Sequence, residues 1–332
     1  MKITVVAPVR NEEDSIDLLL QGLLKQTLSP DEIVIVDGGS TDNTTGIVEQ
    51  RMQECAHLRL IREPNALPGR GRNVGAAQAA NDWLAFIDAG VSPATEWLAE
   101  LADCARTNPK AEVVYGTWEP VIDSFFTECA AIAYGYVPTS EVDHKFIQSR
   151  AVFSSLVHRS VWLAVDGFPE DLRSAEDLLF MNRIDEAGFE VAYTPRAVVR
   201  WQMQPTWWRT FRRFTTYSRH NMRAALSKEW QVSILARYAA LLVCMALLVG
   251  LTKWWASIAV ALTLLMFAAR AIVTLWRNRK RYPAGAGRNL WRMFVLIPLL
   301  ATIDAASILG VVAWLVMDKL NPGRPSRASE RI

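Results

Sequence analysis

The chain has 332 residues, a formal net charge of +2, 51% hydrophobic and 21% charged residues. That mixture excludes a disordered chain, which would pair low hydrophobicity with high net charge, and the near-zero balance offers no basic field for nucleic acid. The four cysteines (Cys55, Cys104, Cys129, Cys244) are too sparse for a disulfide scaffold, and none stands in a C-x-x-C pair, which argues against a zinc knuckle or redox motif.

The first 200 residues alternate strand and helix signals. Ile3–Val9 is a short β-rich run. Asn11-Glu12-Glu13-Asp14-Ser15 then supplies caps and first-turn acids for a helix whose apolar residues Ile16, Leu19, Leu20, Leu23 and Leu24 recur at helical spacing. Pro30 breaks the chain before a second buried strand, Glu32–Val36, which ends in Asp37-Gly38-Gly39-Ser40. A helix is expected from about Asp42 to Cys55, a third strand at Leu58–Arg62, a small-residue helix through Gly75–Ala80, and a fourth strand at Trp83–Ile87 that ends at Asp88. Strands alternating with helices predict an α/β fold with a mostly parallel, Rossmann-like sheet covered by helices. In such sheets ligands gather at the carboxyl ends of the strands. Here those ends carry Arg10-Asn11-Glu12, Asp37-Gly38-Gly39-Ser40 and Asp88-Ala89-Gly90.

The back of the chain is different. Nine of the thirteen tryptophans lie at or after Trp201. Residues 206–223 place Trp207, Trp208, Phe211, Phe214 and Ser218 at helical spacing, with Arg209, Arg212, Arg213, Arg219 and Arg223 as the polar face. That pattern fits an amphipathic helix in a membrane interface, or a packing helix against the front domain. Three apolar runs follow, 232–251, 254–276 and 293–317, each about the ~20 residues that cross a bilayer core. Trp230, Trp254, Trp255, Trp276, Trp291 and Trp314 mark their ends as an interfacial belt. Arg277, Arg279, Lys280, Arg281, Arg288 and Arg292 lie between the second and third runs, whereas only Lys253 lies between the first and second. The positive-inside rule therefore puts the 277–292 loop in the cytoplasm. With no signal peptide visible, the expectation is a multi-pass protein of the plasma (inner) membrane whose front domain faces the cytoplasm. The expected division is an α/β front domain at 1–200, an interfacial region at 201–230, transmembrane helices across 231–320 and a polar tail at 321–332. Three spans are favoured, although Arg324, Arg327 and Arg331 in the tail strain that topology. Pro298 and Asp304 suit an alternative in which the third run is broken or re-entrant and the tail returns inside. Arg237, Arg270 and Asp304 are ionisable groups within the runs, and an Arg270–Asp304 pair is expected.

Residues 3–45, from V-V-A-P-V-R-N-E-E-D-S-I through I-V-I-V-D-G-G-S-T-D-N-T, resemble the opening of family-2 glycosyltransferases of the GT-A fold. The likeness continues in order through Gly69-Arg70-Gly71-Arg72-Asn73-Val74-Gly75, Phe86-Ile87-Asp88-Ala89-Gly90, Gly167-Phe168-Pro169-Glu170 and Ala175-Glu176-Asp177. The resemblance implies transfer of a sugar from a nucleotide-sugar donor to an acceptor hydroxyl. It implies a base and ribose pocket lined by Pro8, Arg10, Glu12 and Asp37, and a phosphate-facing Arg72 and Asn73, with Arg70 as a weaker candidate. Asp88 would hold a divalent cation, Mg²⁺ or Mn²⁺, although Gly90 replaces the second aspartate of the D-x-D signature and Gly38 stands where many relatives carry an aspartate. Asp177 would be the general base of an inverting displacement, with Glu176 orienting it or the acceptor. Plainer readings stay open: Asp37 as a turn former, Glu12 and the Glu176–Asp177 pair as helix-start acids, and Arg72 as a solvated helix-start arginine. Arg200-Trp201-Gln202-Met203-Gln204 has the residue types of the processive Q-x-x-R-W motif but not its order, which favours single addition. The expected acceptor is a lipid-linked molecule or a glycan at the membrane. A nucleotidyltransferase would want a glycine-rich turn with a lysine after the first strand, which Arg10-Asn11-Glu12 does not supply; a catalytically impaired sugar-nucleotide-binding or scaffold protein is the other alternative.

Overall fold

A computed structural model describes residues 1–135, 150–227, 231–251 and 254–320. Trp230, Lys253 and the tail arginines of the sequence reading lie outside them. The chain forms two compact units. The first is Met1–Val121 with the described residues 150–202; the second is the described residues 122–135 and 203–320.

The first unit is built on one mixed sheet, eight-stranded among the described residues. Its strands are β1 (Ile3–Val9), β2 (Glu32–Asp37), β3 (Leu58–Arg62), β4 (Trp83–Phe86), β5 (Val91–Pro93), β6 (Val113–Val121), β7 (Ser155–His158) and β8 (Val191–Gln202). Their spatial order is β3-β2-β1-β4-β7-β6-β8-β5. The β3-β2-β1-β4 half is parallel, while β7 runs antiparallel to both β4 and β6. This is the mostly parallel sheet that the alternating pattern implies, with antiparallel strands added at its far side. Strands β1 and β2 are buried on both faces, as a parallel sheet covered by helices requires.

Helix α1 (Ile16–Leu24) and helix α2 (Thr44–Met52) follow the first two strands. Helix α3 (Pro68–Gln78) begins seven residues before the small-residue segment seen in the sequence, with proline in its first turn. Glycines let α3 press onto the sheet. A Cβ on Gly75 would come within 2.4 Å of Val6 Cγ1, and one on Gly71 within 2.8 Å of Pro8 Cβ. Helix α4 (Trp97–Thr107) covers the sheet after β5. Helix α6 (Arg159–Ala164) and helix α7 (Glu176–Glu186) complete the unit. Below α7 lies a cluster of fully buried rings: Phe168 stacks on Phe180 at 3.9 Å, and Phe86 meets Phe168 edge-on at 5.1 Å. Each buried ring is worth about 2–3 kcal/mol by area, so β4, the 167–170 turn and α7 are fixed to one another.

The second unit is helical. It contains α5 (Phe125–Tyr134), α8 (Trp207–Arg223), α9 (Gln231–Leu251), α10 (Trp255–Arg277) and α11 (Ala286–Ala313), the last continuing as a π-helical stretch, Trp314–Lys319. Pro298 is accommodated inside α11, which is continuous rather than broken there. Among the described residues two helices, Ala256–Arg277 and Ala286–Lys319, are long and apolar enough to cross a membrane, and Gln231–Leu247 is a shorter apolar helix. Asp304 is fully buried and pairs with Arg270 at 2.5 Å, as the sequence suggests, and also with Arg237 at 3.4 Å.

Candidate active site

The carboxyl ends of β1 and β2 are laced together. Gly38 N–H donates to Val9 O at 2.8 Å. Asn11, held at φ 54°, accepts from Thr41 N–H at 2.8 Å and donates its own N–H to Ser40 Oγ at 2.9 Å. Glu12 N–H donates to Thr44 Oγ1 at 2.8 Å, and the Glu12 carboxylate accepts from Ser15 Oγ. Asp37 is buried, and its carboxylate accepts from Gly39 N–H and Ser40 N–H at 3.1 Å. It therefore does form its own turn, with acceptor capacity to spare, since an ionised carboxylate has about four lone-pair sites. Pro8 is half-buried and Arg10 exposed at this rim. Gly38 has no room for the aspartate of its relatives: a Cβ there would sit 2.6 Å from the Ala66 carbonyl oxygen. Backbone from residue 66 fills that place.

Four of the expected residues converge around one guanidinium. Arg72 is 3% exposed. Its Nη2 donates to Asp88 Oδ1 at 2.6 Å and its Nη1 to Glu176 Oε1 at 2.7 Å. Phe168 lies 5.4 Å from the guanidinium carbon, within cation–π range. This corrects one reading: Arg72 is not a solvated helix-start arginine, since it is buried and each of its terminal nitrogens donates to a carboxylate. It joins the end of β4 to the start of α7, with Asp177 the next residue on. Because a Cβ on Gly71 would lie 2.8 Å from Pro8 Cβ and 4.0 Å from Val36 Cγ1, this cluster and the Asp37 turn belong to the same end of the sheet.

Asn73 is placed elsewhere. Its Nδ2 donates to Phe168 O at 2.9 Å and Glu170 Oε1 at 3.0 Å, while its Oδ1 accepts from Trp162 Nε1 and Phe168 N–H. It ties α3 to the 167–170 turn. Arg70 is likewise committed, to Glu63 and Glu170 at the surface.

Burial is the main electrostatic force on the acids. It raises the Glu176 carboxyl to about 7, against the pull of Arg72. It also raises Asp177 above the ordinary aspartate value, with Arg72 and the Leu178 N–H (2.8 Å) pulling the other way. The same burial disfavours the charge on Arg72, but Asp88 and Glu176 more than offset it, so its pKa is raised. Ala175, the residue before this pair, sits at φ 72°. A left-handed alanine costs roughly 1–2 kcal/mol, and such strain collects where a site must be aimed. The sequence carries no sign of it, because alanine does not advertise a left-handed turn as glycine does. Nor was Phe168 recognised as the ring beside Arg72, although its motif was.

A divalent cation fits this site through Asp88 alone. Arg72 takes only Oδ1, and a Cβ on Gly90 would meet nothing within 4 Å, so there is space beside the free oxygen. Among the described residues no group of three His, Cys, Asp or Glu side chains could hold a metal by themselves, which leaves the remaining ligands to water and substrate phosphate.

Residues 4–156 match the family model described as "Glycosyl transferase family 2". The O-antigen chain rhamnosyltransferase RfbN of Salmonella typhimurium is 26% identical over 209 residues, 60% of this chain and 66% of the relative. The matches span between 26% and 66% of the lengths of the first curated relatives. Among solved structures, S. aureus TarS 1-349 in complex with UDP-GlcNAc superposes with a TM-score of 0.53 at 17% identity, covering 93% of this chain and 92% of that one. The mannosyltransferase PcManGT from Pyrobaculum calidifontis, in complex with GDP-Man and Mn²⁺, gives 0.57 at 20% identity, covering 96% and 88%. Residues 4–156 are thus similar to the family-2 glycosyltransferase model, and the sheet that carries them has the fold of these GT-A-like structures.

Proposed function

We propose that this protein is an inverting glycosyltransferase that moves a sugar from a nucleoside-diphosphate donor to a hydroxyl of a membrane-associated acceptor, a lipid-linked molecule or glycan, one sugar at a time. The observation that carries the reading is the chain Asp88–Arg72–Glu176 with Asp177 beside it. A glycosyl transfer needs a grip on the nucleotide, compensation of charge on the leaving diphosphate, and a base for the acceptor hydroxyl. The rim at Pro8, Arg10, Glu12 and Asp37 supplies hydrogen-bond acceptors and one exposed cation for base, ribose and phosphate. Asp88 would hold a Mg²⁺ or Mn²⁺ ion, whose chemistry is to neutralise charge on the diphosphate.

Asp177 is the proposed base. Its raised pKa brings proton affinity closer to that of the reacting group, which makes it a better acceptor in the transition state. Glu176 orients: one of its oxygens is held by Arg72, so the first turn of α7 cannot rotate away. A single base and a single displacement, on the face opposite the diphosphate, invert the anomeric centre. The similar structures solved with UDP-GlcNAc and with GDP-Man and Mn²⁺ support the donor class and the cation, each for its own protein.

The apolar helices support attachment to the plasma (inner) membrane by more than one pass. The cluster Arg277, Arg279, Lys280 and Arg281 after α10 supports a cytoplasmic front domain. The test is transfer or donor hydrolysis by the purified full chain across a panel of nucleotide sugars, with Mn²⁺ and with chelator. Asp177→Asn should lose at least a hundredfold in turnover, within the usual range for a general base, while nucleoside-diphosphate affinity by calorimetry is kept. No turnover with any donor, alongside normal nucleotide binding, would instead favour a non-catalytic binding protein.

A further inference from the structure

By length and composition α11 passes as a membrane span, but its neighbours do not suit one. One face of the helix is paired along its whole length within the helical unit. Near its start, Arg288 and Arg292 bind Glu128 of α5, Arg288 at 2.6 Å. At its middle, Asp304 takes Arg237 of α9 and Arg270 of α10. Toward its end, Ser307 O accepts from Ser218 Oγ of α8 at 2.7 Å, and a Cβ on Gly310 would lie 2.6 Å from Thr215 O. Finally Asp318 holds Arg219 of α8 at 2.8 Å. The opposite face is bare and apolar. Trp291, Phe294, Leu309, Val312 and Val316 are 67%, 65%, 45%, 47% and 47% exposed, and at 100° per residue all fall within about 60° of arc.

Length tells the same story. The helical stretch Ala286–Lys319 has 34 residues, about 51 Å at the helical rise, against ~30 Å for a bilayer core. Ala256–Arg277 has 22 residues, about 33 Å, which matches it. In the most apolar window, 44% of the α11 stretch is buried by protein but only 17% of α10. Of the helices beside α11, the two at its ends, α5 and α8, are also wrong for hydrocarbon. α8 carries Arg209, Arg212, Arg213, Arg219 and Arg223, and placing it beside a spanning helix would draw that charge into lipid, which is strongly unfavourable. α5 and α8 begin only a few residues after Val121 and Gln202, which are register partners in the sheet. Within the helical unit α5 and α8 therefore grip opposite ends of α11.

We infer that only the hairpin α9–α10 crosses the bilayer, and that α11 lies in the interface of one leaflet. The stripe Trp291, Phe294, Leu309, Val312 and Val316 is then seated on the lipid, and α5 and α8 pack behind it. The occupant of this apolar face is the phospholipid leaflet entered by the base of the hairpin. Trp276 and Trp291 flank Arg277, Lys280 and Arg281, with Arg279 stacked on Trp276 at 4.2 Å and Arg281 donating to Tyr282 Oη at 3.3 Å, a composition suited to headgroup phosphates. This inference rests on the membrane reading above and is independent of the catalytic one.

The test uses the full chain with its native cysteines replaced, carrying single cysteines W254C, G285C or K319C, in sealed vesicles treated with a membrane-impermeant maleimide. G285C and K319C should label from the same side and W254C only from the other. Labelling of K319C from the side that labels W254C overturns the inference and restores a spanning α11. Bimane placed by F294C and V312C should be quenched more by lipid doxyl-labelled at carbon 5 than at carbon 12. For a span, a label at A305C would show the reverse, and that result also overturns it. Failure of the chain to float with vesicles in a density gradient would remove the membrane reading itself, which separates the two failures.

Discussion

Replacing Arg72 with methionine removes the one cation shared by Asp88 and Glu176, and its cost should depend on pH in a defined direction. Glu176 has an ordinary value of 4.5 and is raised by burial to about 7 in the folded protein. A group raised on folding contributes stability that is fully present below its unfolded value and lost as pH rises through the folded one. Across that window the loss is about 3 kcal/mol, at 1.36 kcal/mol per pH unit. Arg72 opposes the rise, so in Arg72→Met the folded value moves higher still and the loss extends further into the alkaline range. At pH 5 Glu176 is protonated in both proteins, and the variant forfeits hydrogen bonds worth about 1–2 kcal/mol. At pH 9 the native protein holds an ionised, paired Glu176, whereas the variant must bury an unpaired carboxylate or keep it protonated. Breaking a buried pair costs about 3–5 kcal/mol, so the penalty should grow by about 2 kcal/mol between the two pH values. For a unit of this size that is an extra fall in melting temperature of about 4–8 °C. Melting the full chain in detergent at pH 5, 7 and 9, followed by near-ultraviolet circular dichroism, measures it. Adding Glu176→Gln should flatten the pH dependence. A deficit that is equal at pH 5 and 9, or larger at pH 5, refutes the argument.

Other expectations follow from neighbouring positions. Ala175→Gly relieves a left-handed alanine at φ 72° and, after the added chain entropy of glycine, should raise stability by about 0.5–1 kcal/mol, read as a higher melting temperature; Ala175→Val should lower it. Gly90→Asp meets open space and a φ outside the left-handed region, so the variant should fold and bind nucleoside diphosphate about tenfold more tightly in Mn²⁺ than in chelator, by calorimetry, if Asp88 is the cation ligand. Raised Asp177 and Glu176 place an acid limb on kcat/KM: activity should climb with pH as the pair loses its proton, with an apparent midpoint well above that of an exposed aspartate, and a limb centred near pH 4 would remove Asp177 from the role of base.

The parallel half of the sheet is legible because its strands are short buried runs, each followed by a turn of distinctive chemistry. Ile3–Val9 and Leu58–Arg62 coincide with the observed strands, and Glu32–Val36 falls one residue short of β2. The start of α3 is missed because Pro68, Gly69 and Gly71 read as loop, and they are helical here for reasons that lie across the fold. Gly69 gives way to Pro169 O and Gly71 to Pro8. The site is legible in its residue types and less so in its pairings. Nothing local distinguishes Arg72, which turns inward to two carboxylates, from Arg70 two positions earlier, which stays at the surface with Glu63 and Glu170. What separates them is the helical turn of about 200° between the two positions and the Phe168 ring that the inner one meets.

The apolar runs carry the same lesson with more consequence. Hydropathy sees 254–276 and 293–317 as equals, and by composition they are. The difference lies in what each helix touches. α10 commits one ionisable side chain within its apolar length, Arg270, and leaves most of its surface bare. α11 commits Arg292, Asp304 and Asp318 to three successive partner helices or helix pairs, and turns an apolar stripe outward. A helix that crosses lipid must bring every neighbour at its own depth, so polar neighbours at both ends argue against crossing more strongly than apolar side chains argue for it. That reasoning accounts for Asp304 without a cost in mid-bilayer. The carboxylate is fully buried against Arg270 and Arg237, which lie about 10 Å from Arg277 and about 9 Å from Gln231 at the base of the hairpin. The three side chains then pin the membrane hairpin to an interfacial platform.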